Sequence, residues 1–289
     1  MLICNNHVSD TQLSAIDDLA ALCRAADGGV PPLYRHLLIE KRATDNNVFY
    51  YQDNHLAGFL SVYFFYEDAC EISIIVDPTY RRQGIATQML QSIMPLLLTK
   101  QINTVIFSTP AKLNDEWLSR LGFHYQSSEY HMQRHSYEPV LISRRELTMR
   151  PATTADIPIL SVLDEACFEA AKQTDMAARF NSLLNDNNYV IFLASLQEKP
   201  VGKAHFRWQS DDAILSDIAI LPAYQRQGLG SELLAWCINN ALSNGKTHLA
   251  LDVETSNQGA LNLYTRHGFK TKDANDYWAI SIDKLRTLS

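Results

Sequence analysis

The chain has no long apolar run, no large excess of one charge sign and few cysteines, and each absence closes off a class of protein. Its longest apolar runs, such as Ile93 to Leu98, fall far short of the ~20 residues a bilayer span requires. The first residues lack the charged-then-apolar layout of a signal peptide. Five cysteines, Cys4, Cys23, Cys70, Cys167 and Cys237, are odd in number and form no C-x-x-C pair. That usage reads as a reduced, cytoplasmic protein rather than a disulfide or zinc framework. The nine histidines show no metal-ligand spacing, so no metal is expected, and His248 and His267 read as surface residues. The net charge of −7 is shared almost evenly between residues 1–145 and 146–289. Neither half carries the basic footprint of a nucleic-acid or membrane-surface binder.

What the chain does have is an internal repeat. Its 289 residues suffice for two ordinary domains, and the halves align at a spacing of 144. Gly58 falls on Gly202, Pro78 on Pro222, Tyr80 on Tyr224, Arg82 on Arg226, Gly84 on Gly228 and Leu90 on Leu234, while Gly122-Phe123 meets Gly268-Phe269 after a slip of two. An ordered series of this length predicts a duplicated domain, with boundaries at 1–138 and 146–289. Pro139 and the charged Arg144-Arg145-Glu146 mark the connector, around Ser136 to Arg145.

Both halves predict the same mixed α/β order. Ser9 to Gln12 resembles a capping box that opens a helix with Leu13, Ile16 and Leu19 on one face, and Thr153 to Asp156 opens a helix burying Ile157, Leu160 and Leu163. Strand-like runs follow at 48–51, 57–66 and 71–76, and again at 190–195, 201–208 and 214–221. The aromatic stretch Tyr63-Phe64-Phe65-Tyr66 is expected on a strand.

The clearest chemical signal is Gln225-Arg226-Gln227-Gly228-Leu229-Gly230, which follows an apolar strand and leads through Ser231 into a helix. A strand, a glycine-rich turn and a helix direct free N–H groups and a helix N-terminus at one point, which suits a pyrophosphate. Arg81-Arg82-Gln83-Gly84-Ile85-Ala86, followed by Thr87, repeats the pattern. These two segments resemble the acyl-CoA signature Q/R-x-x-G-x-G/A of the GNAT superfamily of N-acetyltransferases, and the resemblance extends over nearly the whole chain. It implies two tandem GNAT folds, each a mixed sheet flanked by helices and splayed open between its fourth and fifth strands. The pantetheine arm of acetyl-CoA would lie in each opening, against Ile218, Ala219 and Ile220 in the second copy and Ile74 and Val76 in the first. A bulge in the second of these strands would aim an N–H at the thioester carbonyl.

The segment from Leu251 to Phe269 resembles the superfamily pattern N-x-x-A-x-x-L-Y-x-x-x-G-F through Asn257, Ala260, Leu263, Tyr264, Gly268 and Phe269. Attack of an amine on a thioester expels a thiolate, so a phenol at Tyr264 is the candidate general acid. Asn257 either anchors the cofactor, beside Ala260, or caps the helix. An amine arrives mostly as ammonium and must lose a proton. Asp252 and Glu254 share a strand face by period two. In the ribosomal-protein N-terminal alanine acetyltransferases, which this segment most resembles, the base lies twelve residues before the tyrosine, at the position of Asp252. Asp217 on the preceding strand is a further candidate for ammonium binding.

The first copy has Leu118 and Ala111 where the second has Tyr264 and Asn257. It therefore reads as a decayed enzyme, a substrate-shaping domain or a regulatory acyl-CoA site, with Glu71, Tyr125 and Tyr130 as the residues able to restore some chemistry. The expected activity is direct acetyl transfer, without an acyl-enzyme, to an amine of a protein, peptide or small molecule. The alternative is non-catalytic acyl-CoA binding in a regulatory or protein-interaction module. Whole-chain layout is similar both to mycothiol synthases and to secreted bacterial effectors of the tandem GNAT kind. The second likeness implies delivery into a host cell and a host protein as partner.

Overall fold

The structure, a computed structural model, describes residues 1–142, 146–168, 175–209 and 212–288. In chain order the first elements are β1 (Leu2–Asn5), α1 (Asp10–Asp27), α2 (Arg35–Ile39), β2 (Asn47–Gln52), β3 (His55–Tyr63) and β4 (Ala69–Val76). Then come α3 (Ile85–Thr99), β5 (Thr104–Pro110), α4 (Asp115–Leu121), β6 (His124–His135) and β7 (Leu147–Pro151). The remainder are α5 (Ile157–Cys167), α6 (Met176–Leu184), β8 (Tyr189–Leu196), β9 (Lys199–Trp208), β10 (Asp212–Ile220), α7 (Leu229–Ser243), β11 (His248–Glu254), α8 (Gln258–Arg266), β12 (Lys270–Ser281) and α9 (Ile282–Leu288).

Two compact units result, and they are not the contiguous halves expected. Unit 1 is Met1–Glu129 with Asp273–Ser289; unit 2 is Tyr130–Lys272. The strand order within unit 1 is β1-β2-β3-β4-β5-β12, and within unit 2 it is β6-β11-β10-β9-β8-β7. Each half of the sequence thus gives its last strand to the other half's sheet, because β12 pairs antiparallel with β5 from Asn275↔Pro110 to Ser281↔Thr104. The expected cut at 138–146 falls inside unit 2; Arg144 and Arg145 of the expected connector lie outside the described residues.

The helix starts follow the local chemistry. Ser9 caps α1 and its backbone N–H is answered by Gln12, completing the box; Thr153 and Asp156 do the same before α5. In unit 1 both sheet faces are covered. Leu60 and Val62 of β3 pack with Met89, Ile93 and Leu97 of α3, while Phe59 and Tyr63 pack with Ile16, Leu19 and Cys23 of α1. Burial on both faces explains why this strand reads as a continuous apolar run rather than an alternating one. Each such Leu or Ile contributes about 1.5–3 kcal/mol of transfer free energy. Unit 2 repeats the layering, with α7 and α8 on one face and α5 and α6 on the other.

The repeat is traceable atom by atom. The Cys23 thiol contacts Val76 O at 3.4 Å and the Cys167 thiol contacts Ile220 O at 3.7 Å, each pair 144 residues from its counterpart. One expectation is corrected: β3 ends at Tyr63, so Phe64, Phe65 and Tyr66 lie beyond the strand, with Phe65 and Tyr66 exposed.

Candidate active site

Each unit opens its sheet between its fourth and fifth strands. The parallel pair β4–β5 is in register from Ala69↔Thr104 to Ser73↔Ser108, and β10–β11 from Asp212↔His248 to Ile214↔Ala250. Beyond these points the strands run on without that pairing, so Ile74 and Val76 in unit 1 and Ile218, Ala219 and Ile220 in unit 2 border the openings.

At the ends of β4 and β10 the signature loops adopt one conformation. Arg82 and Gly84 have φ of 64° and 79°, and Arg226 and Gly228 have φ of 59° and 90°. Two left-handed positions separated by one residue, directly before a helix N-terminus, suit the loop's free N–H groups to an anion. A Cβ placed on Gly228 would meet no protein atom within 4 Å, so the space above the loop is open and the glycine's role is its positive φ. Ile85 and Leu229, by contrast, turn their side chains into the cores. The first residue of each signature also points back to its strand: Arg81 Nε donates to Val76 O at 3.0 Å and Gln225 Nε2 to Ile220 O at 2.9 Å. Asp27 further holds Arg81 through two bonds of 2.8 and 2.7 Å. These side chains brace the loop instead of reaching over it. Arg82, Gly84, Ala86 and Thr87 line a cleft of about 560 Å³ in unit 1 that extends past Ile74 and Phe107 to Leu118. Arg226, Gln227, Gly228 and Ser231 line one of about 660 Å³ in unit 2. Among the described residues no cluster of His, Cys, Asp or Glu is able to hold a metal ion.

The segment after β11 separates the units chemically. Phe269 N donates to Tyr264 O at 3.1 Å, and Phe123 N donates to Leu118 O at 3.0 Å, so Leu118 is the structural counterpart of Tyr264. Tyr264 is 8% exposed and its ring lies edge-on to Phe269. Burial pushes its phenol up to about 12, which keeps the proton in place at neutral pH, as an acid requires. Asn257 caps α8, its Oδ1 accepting from Ala260 N at 3.0 Å. That use leaves its NH₂ and one Oδ1 lone pair for a ligand. In unit 1 the helix starts one turn later, at Asn114 rather than Ala111. Tyr130, read as a first-copy residue, belongs to unit 2; Tyr125 is exposed and bonds Ser128. Glu71 is buried and accepts from the Tyr34 hydroxyl at 3.1 Å through both oxygens.

Leu251 and Val253 of β11 belong to the core that contains Tyr264, so Asp252 and Glu254 occupy the opposite sheet face, as their spacing requires. Asp252 is 53% exposed and pairs with His131 Nδ1 at 2.8 Å. Asp217 sits at a bulge in β10, where the register with β9 shifts between Ser216 and Ala219, and its φ is 46°. Regular alternation would put Ser216 and Asp217 on opposite faces; the extra residue turns both to one side. There Ser216 Oγ lies 3.3 Å from the Tyr189 hydroxyl and Asp217 Oδ2 lies 3.1 Å from His205 Nδ1. Burial alone would raise the Asp217 carboxyl, but His205, Lys203 and Arg179 override it and hold the group well below the usual carboxylate range. Burial and Lys203 lower His205 in turn. Sequence reasoning missed Asp164, Lys203, His205, Arg179 and His131. A signal was present: Lys203 and His205 interrupt the otherwise apolar run Val201 to Phe206 at period two. His267, read as a surface residue, bridges Ser231 Oγ at 3.1 Å and Leu263 O at 2.8 Å.

The family model described as Acetyltransferase (GNAT) family matches residues 13–123 and again 157–269. A [ribosomal protein bS18]-alanine N-acetyltransferase of Escherichia coli K12 is 46% identical over 59 residues, which are 20% of this chain and 40% of that protein. An N-alpha-acetyltransferase MAK3 of Arabidopsis thaliana is 31% identical over 100 residues, 33% of this chain and 53% of that one. The chain therefore spans about half or less of the curated relatives it matches. Among solved structures, a GCN5-related N-acetyltransferase from Sphaerobacter thermophilus superposes with a TM-score of 0.76 at 17% identity, over 97% of this chain and 96% of that one. A tandem GNAT protein from the clavulanic acid biosynthesis pathway gives 0.67 at 14% identity, over 98% and 99%. These likenesses show the fold.

Proposed function

The chain belongs to the GNAT family of acetyltransferases, and from that premise we propose that unit 2 transfers an acetyl group from acetyl-CoA directly to an amine, while unit 1 binds an acyl-CoA without turning it over. One observation carries the assignment. The two units share the loop, the opening and the helix after it, yet only unit 2 has a buried, protonated tyrosine at the position that Leu118 occupies in unit 1, and only unit 2 has a bulged fourth strand.

Acetyl-CoA supplies the activated acyl group. The loops at Arg226–Gly228 and Arg82–Gly84 would receive the pyrophosphates, and the free edge of Ile218 to Ile220 the pantetheine. An acceptor would approach from the face of Asp252, Glu254 and Asp217, and Tyr264 would act from the opposite, α7–α8 side of the sheet. The ammonium gives a proton to Asp252, directly or through water, with Glu254 beside it. Its nitrogen lone pair then forms the C–N bond as the C–S bond breaks, Tyr264 protonates the departing thiolate, and the second nitrogen proton leaves through solvent and restores the Tyr264 phenol. Names of the relatives support a protein or peptide amine as acceptor. A small-molecule amine fits the same chemistry, and the effector-like layout adds a host protein to the acceptor classes.

The test is thiol release from acetyl-CoA over a panel of N-terminal peptides, lysine peptides and small amines, with both substrates varied. Intersecting double-reciprocal lines are expected for direct transfer; parallel lines would indicate an acyl-enzyme and contradict it.

A further inference from the structure

A row of charged and polar side chains crosses the α5–α6 face of unit 2, which is otherwise apolar. Lys203 is fully buried, with Nζ 2.6 Å from Asp164 Oδ1 and 2.8 Å from His205 Nε2, between the rings of Phe168 and Phe180. His205 continues the row to Asp217 at the bulge and to the Tyr189 hydroxyl at 2.9 Å. Arg179 closes it on the solvent side, 3.3 Å from Asp164 Oδ2 and 3.6 Å from Asp217 Oδ2.

The repeat shows that the fold does not need this row. At the same spacing of 144, Asp164, Lys203, His205 and Asp217 correspond to Ala20, Phe59, Ser61 and Ser73. Ala20 and Phe59 lie in the apolar core between α1 and β3 of unit 1, and β4 runs past Ser73 in unbroken register with β3. Burying an ion pair usually stabilises less than apolar packing of the same volume. A pair retained only in the unit with Tyr264, and linked through His205 to the bulged strand at the opening, is therefore tied to the chemistry rather than to the core. The Lys203–Asp164 pair carries no net charge whichever partner holds the proton, so it braces His205 without cancelling Asp217. Both contacts to Asp217 fall on Oδ2, and its side chain remains 22% exposed.

We propose that Asp217 anchors the ammonium group of the acceptor through Oδ1, and that His205, Lys203 and Asp164 are positioning residues that hold this carboxylate at the bulge. The proposal rests on unit 2 being the transfer centre and specifies its acceptor as a primary amine that arrives charged.

Asp164→Ala/Lys203→Phe installs unit 1's own pair in unit 2 and removes both charges together. The full-length variant is compared with wild type by thermal melting, acetyl-CoA calorimetry and kinetics with whichever amine of the panel wild type acetylates fastest. Expected are a cooperative melt, an acetyl-CoA Kd within twofold and a KM for the amine raised at least tenfold, with Asp217→Asn raising it as much. An unchanged KM in a folded double variant would overturn the proposal, and so would a fall in kcat alone. Should the double variant not fold, Asp217→Asn decides by the same KM criterion. If wild type releases no thiol with any amine, the transfer-centre reading fails first and takes this proposal with it; wild-type turnover with an unmoved KM sinks the proposal alone.

Discussion

Units 1 and 2 repeat one design, down to the thiol-to-carbonyl contacts of Cys23 and Cys167, and they differ where chemistry would occur. Unit 1 keeps a regular fourth strand, an apolar layer under α1 and Leu118 at the tip of its opening. Unit 2 replaces these with a bulge, a buried ion pair and Tyr264. The difference teaches which features the fold requires and which are additions. Signature loops, capped helices and the split between parallel strands are common to both. The Lys203–Asp164 pair and the bulge at Asp217 belong to unit 2 alone, as expected where structure is given over to function.

The comparison breaks most sharply at Lys203. Lys203→Met leaves Asp164 in an apolar layer with the solvent-side Arg179 as its cation and should cost about 3 kcal/mol; Phe59→Met in unit 1 exchanges one apolar group for another and should cost about 1.5 kcal/mol or less. Urea unfolding of the two variants measures the difference, and equal losses would mean that the ion pair is not buried as described. A smaller effect is expected at the paired glycines. A Cβ on Gly202 would lie 2.5 Å from Ala219 O, a backbone atom next to the bulge, whereas on Gly58 it would meet side-chain atoms only, the Ile85 Cγ2 methyl at 2.8 Å and the flexible end of Met89 at 2.9 Å. Gly202→Ala should therefore destabilise by roughly 1–3 kcal/mol and Gly58→Ala by less, with thermal melts as the readout.

The smallest effect is acid sensitivity. Two carboxyls of unit 2 are held low: Asp156 by the Arg150 guanidinium and the Thr153 cap, and Asp217 by its cationic neighbours. In unit 1 Asp77 is held low, against its own burial, by Thr79 and His55. Groups depressed in the folded state contribute stability above the unfolded carboxylate pKa near 4, and that stability is lost as pH falls below it. Hydrogen exchange at descending pH should lose protection in α5 and β10 before α1 and β4; the reverse order would contradict these assignments.

Much of this was legible in the sequence, for physical reasons that also mark where legibility stops. Ser9 and Gln12 form a local cap, and Gly84 and Gly228 hold left-handed positions that few other residues favour, so both could be read from a few neighbouring letters. The correspondence of Leu118 with Tyr264 followed from counting back from the Gly-Phe pairs. Strand exchange was not legible, because β6 and β12 carry the same pattern whichever sheet they join. Nor was the partnership of Lys203 with Asp164, which lie on a strand and a helix that only the fold brings together. Nor was the bracing of the loops, in which the Arg81 and Gln225 side chains bond back to Val76 and Ile220.

The central claim is that one unit performs the reaction and its twin does not, and a paired measurement of thiol release addresses it most directly. In the full-length chain Tyr264→Phe should lower kcat by about 10²–10⁴ with acetyl-CoA still bound, whereas Leu118→Ala should leave the rate within about twofold. A Tyr264→Phe protein that releases thiol at the wild-type rate, or a Leu118→Ala protein that loses it, would contradict the account.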